Sequence, residues 1–257
     1  LLHRSTRGVT PTEIGKIYYE KCKTILLELE DAENIAGLLQ SEVQGKLMIS
    51  SSVAFGRRVL TPLVLQFMGQ HPQLQVSLNL DDRYINLVEE GVDLAIRMGR
   101  LSDSSLGARF LGLNPWVVVA TPVYLEKNGT PSIPSDLSKH IALIYSSVQG
   151  DHRWQFTGRD GSNKSIQVSG PLYSNNLSTL LAATRNHLGI AALPWYVAYS
   201  SVQSRHLKPL LADWSLPAQE IHAVFSSPRL VPTKVSMLID WLAGQFRGNW
   251  WTQEIGS

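Results

Sequence analysis

The hydrophobic and polar positions after Gly45 form short apolar runs separated by longer amphipathic stretches. The runs KLMIS, LQVSLNL and DLAIRMG have the length and composition of strands. SSVAFGRRVLTPLVLQFMGQHP predicts a loop and a helix that ends before Pro72, and DDRYINLVEEG predicts a short helix that ends at Gly91. Strands that alternate with helices predict a parallel α/β sheet with right-handed crossovers.

A second set of the same kind begins near Pro115 and indicates a second lobe. Its predicted strands are WVVVATP, IALIYS, SIQVSG, IAALP, LKPLL and IHAVFSS. Its predicted helices are PVYLEKNG, PSDLSKH with Ser135 as its cap, NNLSTLLAATRNHLG and WYVAYSSV. Each unit has the size of a small domain, about a hundred residues, and LGLNPW is the expected crossover between them.

The last amphipathic stretch, VPTKVSMLIDWLAGQF, predicts a closing helix. Its apolar face consists of Val235, Leu238, Ile239, Leu242 and Phe246. We expect the tail after Arg247 to be irregular, despite Trp250 and Trp251.

A long helix is predicted before these units, from Thr10 to about Gln40. Thr10 suits the N-cap, Pro11 the first helical position and Glu13 the acidic position of a capping box. Apolar residues recur in it at the spacing of a coiled-coil seam: Cys22, Ile25, Leu29, Ala32, Ala36 and Leu39. The seam predicts a dimerisation helix; the alternative is that the helix packs along the domain that follows it.

Composition and charge narrow the function classes. The 257 residues are 44% hydrophobic and 17% charged, as in an ordinary globular protein. A net charge of +2 is too small for nucleic-acid binding by the whole surface, so such binding needs a local patch. HRSTRGV is such a patch, because cations and hydroxyls suit contacts to the DNA backbone. The alternative is that its two arginines are only solvated.

Cysteine content and hydropathy exclude other classes. The single Cys22 rules out an internal disulfide and a multi-cysteine zinc site, and it fits a cytoplasmic protein. The chain has no apolar stretch of the length of a membrane span, and its N-terminus lacks the apolar core of a signal peptide. Leu1 in place of methionine suggests a truncated or processed chain.

Three places at the carboxyl ends of predicted strands are candidate ligand sites, because helix starts there present free amides. The first is Ser51 and Ser52, with Val53, directly after KLMIS. Hydroxyls beside free amides suit a carboxylate or another small polar anion. The alternative is that one of the serines only caps the helix.

The second place is Arg97 and Met98, where DLAIRMG leaves the sheet. Arg97 suits an acidic ligand; the alternative is a structural ion pair with Asp93 or Asp103.

The third place is Asn175 and Asn176, at the start of a helix in the second lobe. Gly189 would let the backbone approach this region closely. A simple asparagine cap and a helix-ending glycine are the alternatives.

Signatures of catalysis are missing from the sequence. It contains no GxSxG, GxxxxGK[ST], HExxH or GxGxxG motif, and its seven histidines are scattered. We therefore expect no catalytic residue, no metal and no cofactor.

Several blocks, in the right order and with the right gaps, resemble the LysR-type transcriptional regulators. They are HRSTRGVTPTEIG, YYEKC, GKLMISSSVAFGRRVLTPLVLQFMGQHPQLQVSLNLDDR, LVEEGVDLAIRMG, ATPVYLEKNGTPSIPSDLSKH and LSTLLAATRNHLGIAALP. The likeness runs from Leu1 to about Phe246 and is more specific than any single motif.

The resemblance implies an α/β fold with a winged helix-turn-helix, a linker helix and a two-lobed effector domain like periplasmic binding proteins. It assigns residues 1–9 to the end of the wing, 10–44 to the linker helix, 45–247 to the effector domain and 248–257 to a tail. Lobe I comprises 45–113 and 219–247, and lobe II comprises 114–218. The recognition helix would lie upstream of Leu1. The residues implied beside the DNA backbone are Arg4, Ser5, Thr6 and Arg7.

The resemblance also implies a function. It is that of a DNA-binding homodimer or homotetramer whose cleft binds a small anionic effector, such as a carboxylate, at the three places above. The effector would change the angle between the lobes and so the spacing of paired DNA-binding heads. The alternative is a solute-binding protein for transport, which predicts a signal peptide and a monomer.

Overall fold

The computed structural model describes residues 1–5, 8–22, 24–25, 43–83, 87, 89–99, 101, 106–146, 152–226 and 231–252. The first elements are β1 (Leu2–Ser5), β2 (Gly8–Pro11), α1 (residues 13–22) and β3 (Gly45–Ser51). Next come α2 (Val53–Phe55), a π-helical turn (Gly56–Leu60) and α3 (Thr61–Gln70). Three strands follow: β4 (Leu74–Leu80), β5 (Leu94–Met98) and β6 (Gly107–Asn114).

The second half of the chain begins with β7 (Trp116–Ala120), α4 (Pro122–Asn128), a 3₁₀ helix (Pro134–Lys139) and β8 (Ile141–Tyr145). It continues with β9 (Arg153–Gly158), β10 (Asn163–Gln167), β11 (Ser169–Ser174), α5 (Leu177–Arg185), β12 (Ile190–Pro194) and α6 (Trp195–Gln203). It ends with β13 (Lys208–Leu210), β14 (Trp214–Ser215), β15 (Gln219–Phe225), α7 (Thr233–Gln245) and a 3₁₀ helix (Trp250–Thr252).

The start of α1 differs from the prediction. β1 and β2 form an antiparallel hairpin, so Thr10 and Pro11 lie in a strand and neither begins the helix. Thr12 is the residue that caps the helix, because its Oγ1 accepts a hydrogen bond from the N–H of Gly15 at 2.9 Å. The N–H and hydroxyl of Thr12 also donate to Leu1 O, at 2.9 and 3.1 Å, and tie the helix to the hairpin.

The predicted dimerisation seam is described in part. Residues 24–25 are helical, Cys22 is half-buried, and the side chain of Ile25 is 62% exposed. Leu29, Ala32, Ala36 and Leu39 lie outside the described residues, as do Thr6 and Arg7; Arg4 and Ser5 belong to β1. The seam therefore stays a prediction.

Lobe I is built on a five-stranded sheet with the order β4-β3-β5-β15-β6. β3 pairs in parallel with β4 and β5, whereas β15 is antiparallel to both β5 and β6. The expected parallel sheet is thus a mixed one, because β15 returns from the other lobe, and β6 was not predicted as a strand. Leu63 of α3 and Leu238 of α7 share one core with Leu47 of β3.

Lobe II repeats this arrangement with the sheet order β11-β8-β12-β7-β13. β8 is parallel to β11 and β12, and β7 is antiparallel to β12 and β13. Leu180 of α5 and Val197 of α6 pack with Val119 in its core. A smaller sheet, β10-β9-β14, contributes Trp154 and Phe156 to the same core. The predicted two-lobed α/β fold is confirmed.

Three further predictions are wrong in detail. The described residues of DDRYINLVEEG, 81–83, 87 and 89–91, form turns and bends; residues 84–86 and 88 lie outside the description. SIQVSG is divided at Val168, whose N–H donates to His152 O at 2.8 Å between β10 and β11. In PSDLSKH the carboxylate of Asp136, not Ser135, accepts from the N–H groups that precede the 3₁₀ helix.

The tail is also more ordered than we predicted. Trp250 begins a 3₁₀ helix and is 1% exposed, and its Nε1 donates to Leu113 O at 2.8 Å. Its ring packs edge-on against Phe246 and Phe55. Trp250 therefore completes the core of lobe I. In the described part of the chain, the helices are too short or too polar to cross a membrane.

Candidate functional site

A cleft of about 190 Å³ lies between the two lobes, beside the carboxyl ends of β3, β4 and β5. Lobe I lines it with Ser52, Asp81, Asp82, Arg83, Ile96, Arg97, Met98 and Leu101. Lobe II lines it with Tyr145, Leu177 and Tyr196, and the two connections between the lobes contribute Trp116 and Gln219. Charged groups thus come from one lobe and aromatic rings from the other side of the cleft.

Asp82 joins the two lobes beside this cleft. Its Oδ1 accepts a hydrogen bond at 2.9 Å from the backbone N–H of Val53, the first residue of α2. Its Oδ2 accepts one at 3.2 Å from Nδ2 of Asn176 in lobe II. Asn176 is the N-cap of α5, and its Oδ1 accepts from the N–H groups of Ser178 and Thr179 at 3.0 and 3.1 Å. One carboxylate of lobe I therefore contacts the start of a helix in each lobe, where negative charge is favoured.

The neighbouring acid, Asp81, is paired within lobe I. Nε and Nη2 of Arg83 donate to Asp81 Oδ2 at 3.0 and 2.7 Å. These hydrogen bonds lower the pKa of Asp81 below the usual value of an aspartate. Asp81 is therefore ionised at neutral pH, and Arg83 balances its charge.

Two arginines supply positive charge near the cleft. Arg97 lines the cleft at the end of β5, and its Nη2 donates to Ser50 Oγ at 3.5 Å. Asp93, one of the partners considered for Arg97, accepts a hydrogen bond from the N–H of Met48 at 2.7 Å; Asp103 lies outside the described residues. Burial lowers the pKa of Arg58, on the π-helical turn, but an arginine stays charged in proteins.

Tyr196 forms an apolar contact between the lobes. Its ring lies edge-on to Phe55 with centroids 5.4 Å apart, and it stacks on Trp250 at 6.3 Å. Burial raises the pKa of the Tyr196 hydroxyl, so it is protonated at neutral pH. Among the described residues, those of lobe II that line the cleft can therefore donate a hydrogen bond but carry no charge.

The structure brings some of the predicted site residues to the cleft. Ser52, Arg97 and Met98 line it, and the side chain of Ser52 makes no hydrogen bond that caps α2. Val53 and Asn176 reach its border through Asp82, and the predicted alternative for Asn176, a helix cap, is also observed.

The other predicted residues do not line the cleft. Ser51 is fully buried, and its Oγ has no hydrogen-bond partner among the described residues. Asn175 is exposed beside α5. Gly189 does allow a close backbone approach, since a Cβ there would lie 2.5 Å from Ile141 O, but this contact is inside lobe II.

Sequence reasoning missed Asp82 and Tyr196, and one rule could have found both. Asp82 follows β4, the parallel neighbour of β3, and Tyr196 follows β12, the parallel neighbour of β8. Residues after adjacent parallel strands converge at one edge of a sheet. In the described residues, no three His, Cys, Asp or Glu side chains are grouped as metal ligands.

Comparisons with known proteins agree with this architecture. The sequence model of the LysR substrate binding domain matches residues 40–247. An uncharacterised HTH-type transcriptional regulator of Haemophilus influenzae is 36% identical over 236 residues, which are 92% of this chain and 82% of that protein. The full-length structure of AphB, a virulence activator of Vibrio cholerae, has a TM-score of 0.71 at 26% identity and covers 96% of this chain and 84% of its own.

A third similar protein is CrgA, a LysR-type transcriptional regulator from Neisseria meningitidis. Its structure has a TM-score of 0.71 at 29% identity and covers 96% of this chain and 84% of its own. The chain therefore belongs to the family of LysR-type transcriptional regulators, as the sequence blocks predicted. The transport alternative is not favoured, since these relatives are named as regulators of transcription.

Proposed function

We propose that this protein regulates transcription in response to a small anionic molecule, a carboxylate in the simplest case, that binds in the cleft between the lobes. One observation carries the proposal. Charged groups of lobe I and aromatic rings from across the cleft line the same cavity. Ligands of open α/β folds bind at this edge of the sheet. A molecule that contacts both lobes can change the angle between them.

The charges around the cleft support an acidic ligand. Asp81 is bonded to Arg83, and Asp82 to Val53 and Asn176, so both carboxylates already accept hydrogen bonds from within the protein. Arg97 lines the same space, and an arginine can bind a carboxylate through two parallel hydrogen bonds.

The other lining residues of the cleft favour a ligand whose carboxylate is attached to an apolar group. The rings of Trp116 and Tyr145 lie 5.8 Å apart, centroid to centroid, and both line the cavity. Leu177 adds a further apolar side chain. A compact carboxylate with an aliphatic or aromatic body matches these surroundings.

The second part of the proposal concerns DNA and assembly. Relatives named HTH-type transcriptional regulators support DNA binding, in which Arg4, Ser5, Thr6 and Arg7 would contact phosphates. Exposed apolar side chains on and just after α1 support a homodimer, or a homotetramer built from it: Ile14, Ile17, Tyr18, Tyr19 and Ile25. The protein would act in the cytoplasm, and the effector would leave the cleft chemically unchanged.

Titration calorimetry with a panel of small aliphatic and aromatic carboxylates tests the effector proposal. We expect at least one of them to bind, and Arg97→Gln to weaken its binding by about tenfold or more, the loss of a charged hydrogen bond. Arg109→Gln is the matched control, since Arg109 of β6 pairs with Asp240 of α7 and does not line the cleft.

Two results would contradict the effector proposal. One is a panel in which no carboxylate binds; the other is an Arg97→Gln variant that binds as well as Arg109→Gln. Mass spectrometry of the recovered ligand checks that the protein has not altered it.

A further inference from the structure

The contact between Asp82 and Asn176 is a hydrogen bond between side chains of opposite lobes. It joins residues 94 positions apart in the chain, at an Oδ2–Nδ2 distance of 3.2 Å. Both residues are half-buried at the border of the cleft. The bond can therefore exist only while the lobes hold their present relative position.

The geometry of this bond is fixed on both sides. Asp82 cannot turn freely, because its Oδ1 accepts from the N–H of Val53 at 2.9 Å. Asn176 cannot turn either, because its Oδ1 caps α5 through Ser178 and Thr179 and leaves Nδ2 directed at Asp82. Each residue is anchored to its own lobe by one oxygen and reaches the other lobe with its remaining polar atom.

We propose that Asp82 and Asn176 form an interlobe latch, which holds the lobes in the arrangement described here. This inference rests on the proposed function for its ligand: an anionic effector carries the same group as Asp82 and competes with it for the amide of Asn176. Effector binding and latch closure then exclude each other. A ligand shifts such an equilibrium by its different affinity for the two arrangements.

Substitutions can open the latch without removing the cap of α5. In Asn176→Asp, one carboxylate oxygen still caps the helix, since aspartate is as good an N-cap as asparagine. The other oxygen then faces Asp82, and the two carboxylates repel. In Asp82→Asn, the side-chain oxygen still accepts from Val53, but two amide donors face each other across the lobes.

The double variant Asp82→Asn with Asn176→Asp exchanges donor and acceptor and restores the latch. The new amide at position 82 would be the donor and the new carboxylate at position 176 the acceptor, with the contacts to Val53 and α5 kept. Closure by the double variant after opening by both single variants cannot arise from a general loss of stability.

The distance between the lobes can be measured in the full chain by pulsed electron paramagnetic resonance. Spin labels attached at Gln66→Cys on α3 and Lys127→Cys on α4, in a Cys22→Ser background, place one label on each lobe at an exposed position. Dilution with unlabelled protein restricts the signal to pairs within one chain. We expect longer and broader distances in each single variant and the parent distribution in the double variant. Unchanged distances in both single variants, or a double variant that stays open, would overturn the latch.

The ligand part of the inference has its own measurement, with benzoate as the probe. We expect Asp82→Ala, which removes the competing carboxylate, to bind benzoate about tenfold more tightly than the parent, within the usual range of coupling between sites. Asp213→Ala is the matched control, because Asp213 pairs with Arg159 in lobe II and does not line the cleft. Equal affinities of the Asp82→Ala and Asp213→Ala variants would refute competition by Asp82. Distances that change as expected while no variant binds a carboxylate would support the latch and refute the anionic effector.

Discussion

The side chains of Gln219 and Trp116 are hydrogen-bonded where the chain passes between the lobes. Oε1 of Gln219, at the start of β15, accepts a hydrogen bond from Nε1 of Trp116, at the start of β7, at 2.9 Å. The same oxygen accepts from Nδ2 of Asn114 at 3.3 Å. Asn114 and Trp116 flank the outward connection, and Gln219 ends the return connection, so one amide oxygen ties the two together.

Removal of this oxygen should destabilise the protein. Asn114 and Trp116 are 1% and 7% exposed, so Gln219→Leu leaves two buried donors without an acceptor. We expect a loss of about 1–3 kcal/mol in the free energy of unfolding, measured by urea titration. Gln75→Leu, at an exposed position of β4, is the control and should change stability little. Equal effects of the two substitutions would show that the bond is not structural.

Two glycines should respond in opposite directions to substitution by alanine. Gly69 lies near the end of α3, and no atom lies within 4 Å of the position that a Cβ would take there, so Gly69→Ala should stabilise the protein by about 0.5–1 kcal/mol. At Gly170 a Cβ would overlap with the backbone oxygen of Ala142 in the adjacent strand. Gly170→Ala should therefore shift β11 and lower the melting temperature. Thermal unfolding of both variants tests these predictions. A Gly170→Ala variant with the melting temperature of the parent would contradict the close approach of Gly170 to the backbone of Ala142.

His140 should make stability depend on pH. Burial, partly opposed by Asp136, lowers the pKa of its imidazole below the usual value of about 6.5. The unfolded chain then binds this proton at a higher pH than the folded one. The contribution of neutral His140 to stability is present in full above a pH of about 6.5. It is lost as the pH falls from that value through the pKa of His140 in the folded protein. Urea unfolding at several pH values between about 5 and 8 measures this contribution. The free energy of unfolding should decline less steeply with falling pH in His140→Gln than in the parent protein. An NMR titration that finds a raised pKa would contradict this prediction.

Assembly through α1 is tested at Ile25. Its side chain is 62% exposed in the single chain and lies on the predicted seam. Ile25→Asp should weaken self-association by about tenfold or more, because an apolar side chain of this size contributes about 1.5–3 kcal/mol when buried. Thr24→Asp, the exposed neighbour outside the seam, is the charge-matched control. Sedimentation equilibrium measures both, and an Ile25→Asp variant that associates like Thr24→Asp would place the interface elsewhere.

Much of the fold follows from local patterns in the sequence. The alternation of LQVSLNL predicts β4 residue for residue, and the apolar face of the closing helix, with Leu238 and Leu242, packs into lobe I. Such patterns are local, because an amphipathic strand or helix must bury one face wherever it lies. Three predicted positions of the cleft, Ser52, Arg97 and Met98, follow from the rule on strand ends.

What the sequence did not reveal depends on contacts between distant segments. Asp82 was assigned to a helix, and its partner Asn176 lies 94 residues away, so the bond between them requires the arrangement of the lobes. Trp250 follows a polar stretch in the tail, and only the space beside Phe55 and Phe246 makes it a core residue. The antiparallel pairing of β15 has the same cause, because no local pattern records the lobe from which a strand returns.

Amide hydrogen exchange, measured with and without the carboxylate that binds most tightly in the calorimetric panel, tests most directly whether the effector binds between the lobes. We predict slower exchange in segments of both lobes, at residues 52–55, 81–83, 96–98, 176–179 and 195–197, and little change in segments that do not border the cleft. Protection that is confined to one lobe, or that lies outside these segments, would contradict a ligand in the cleft.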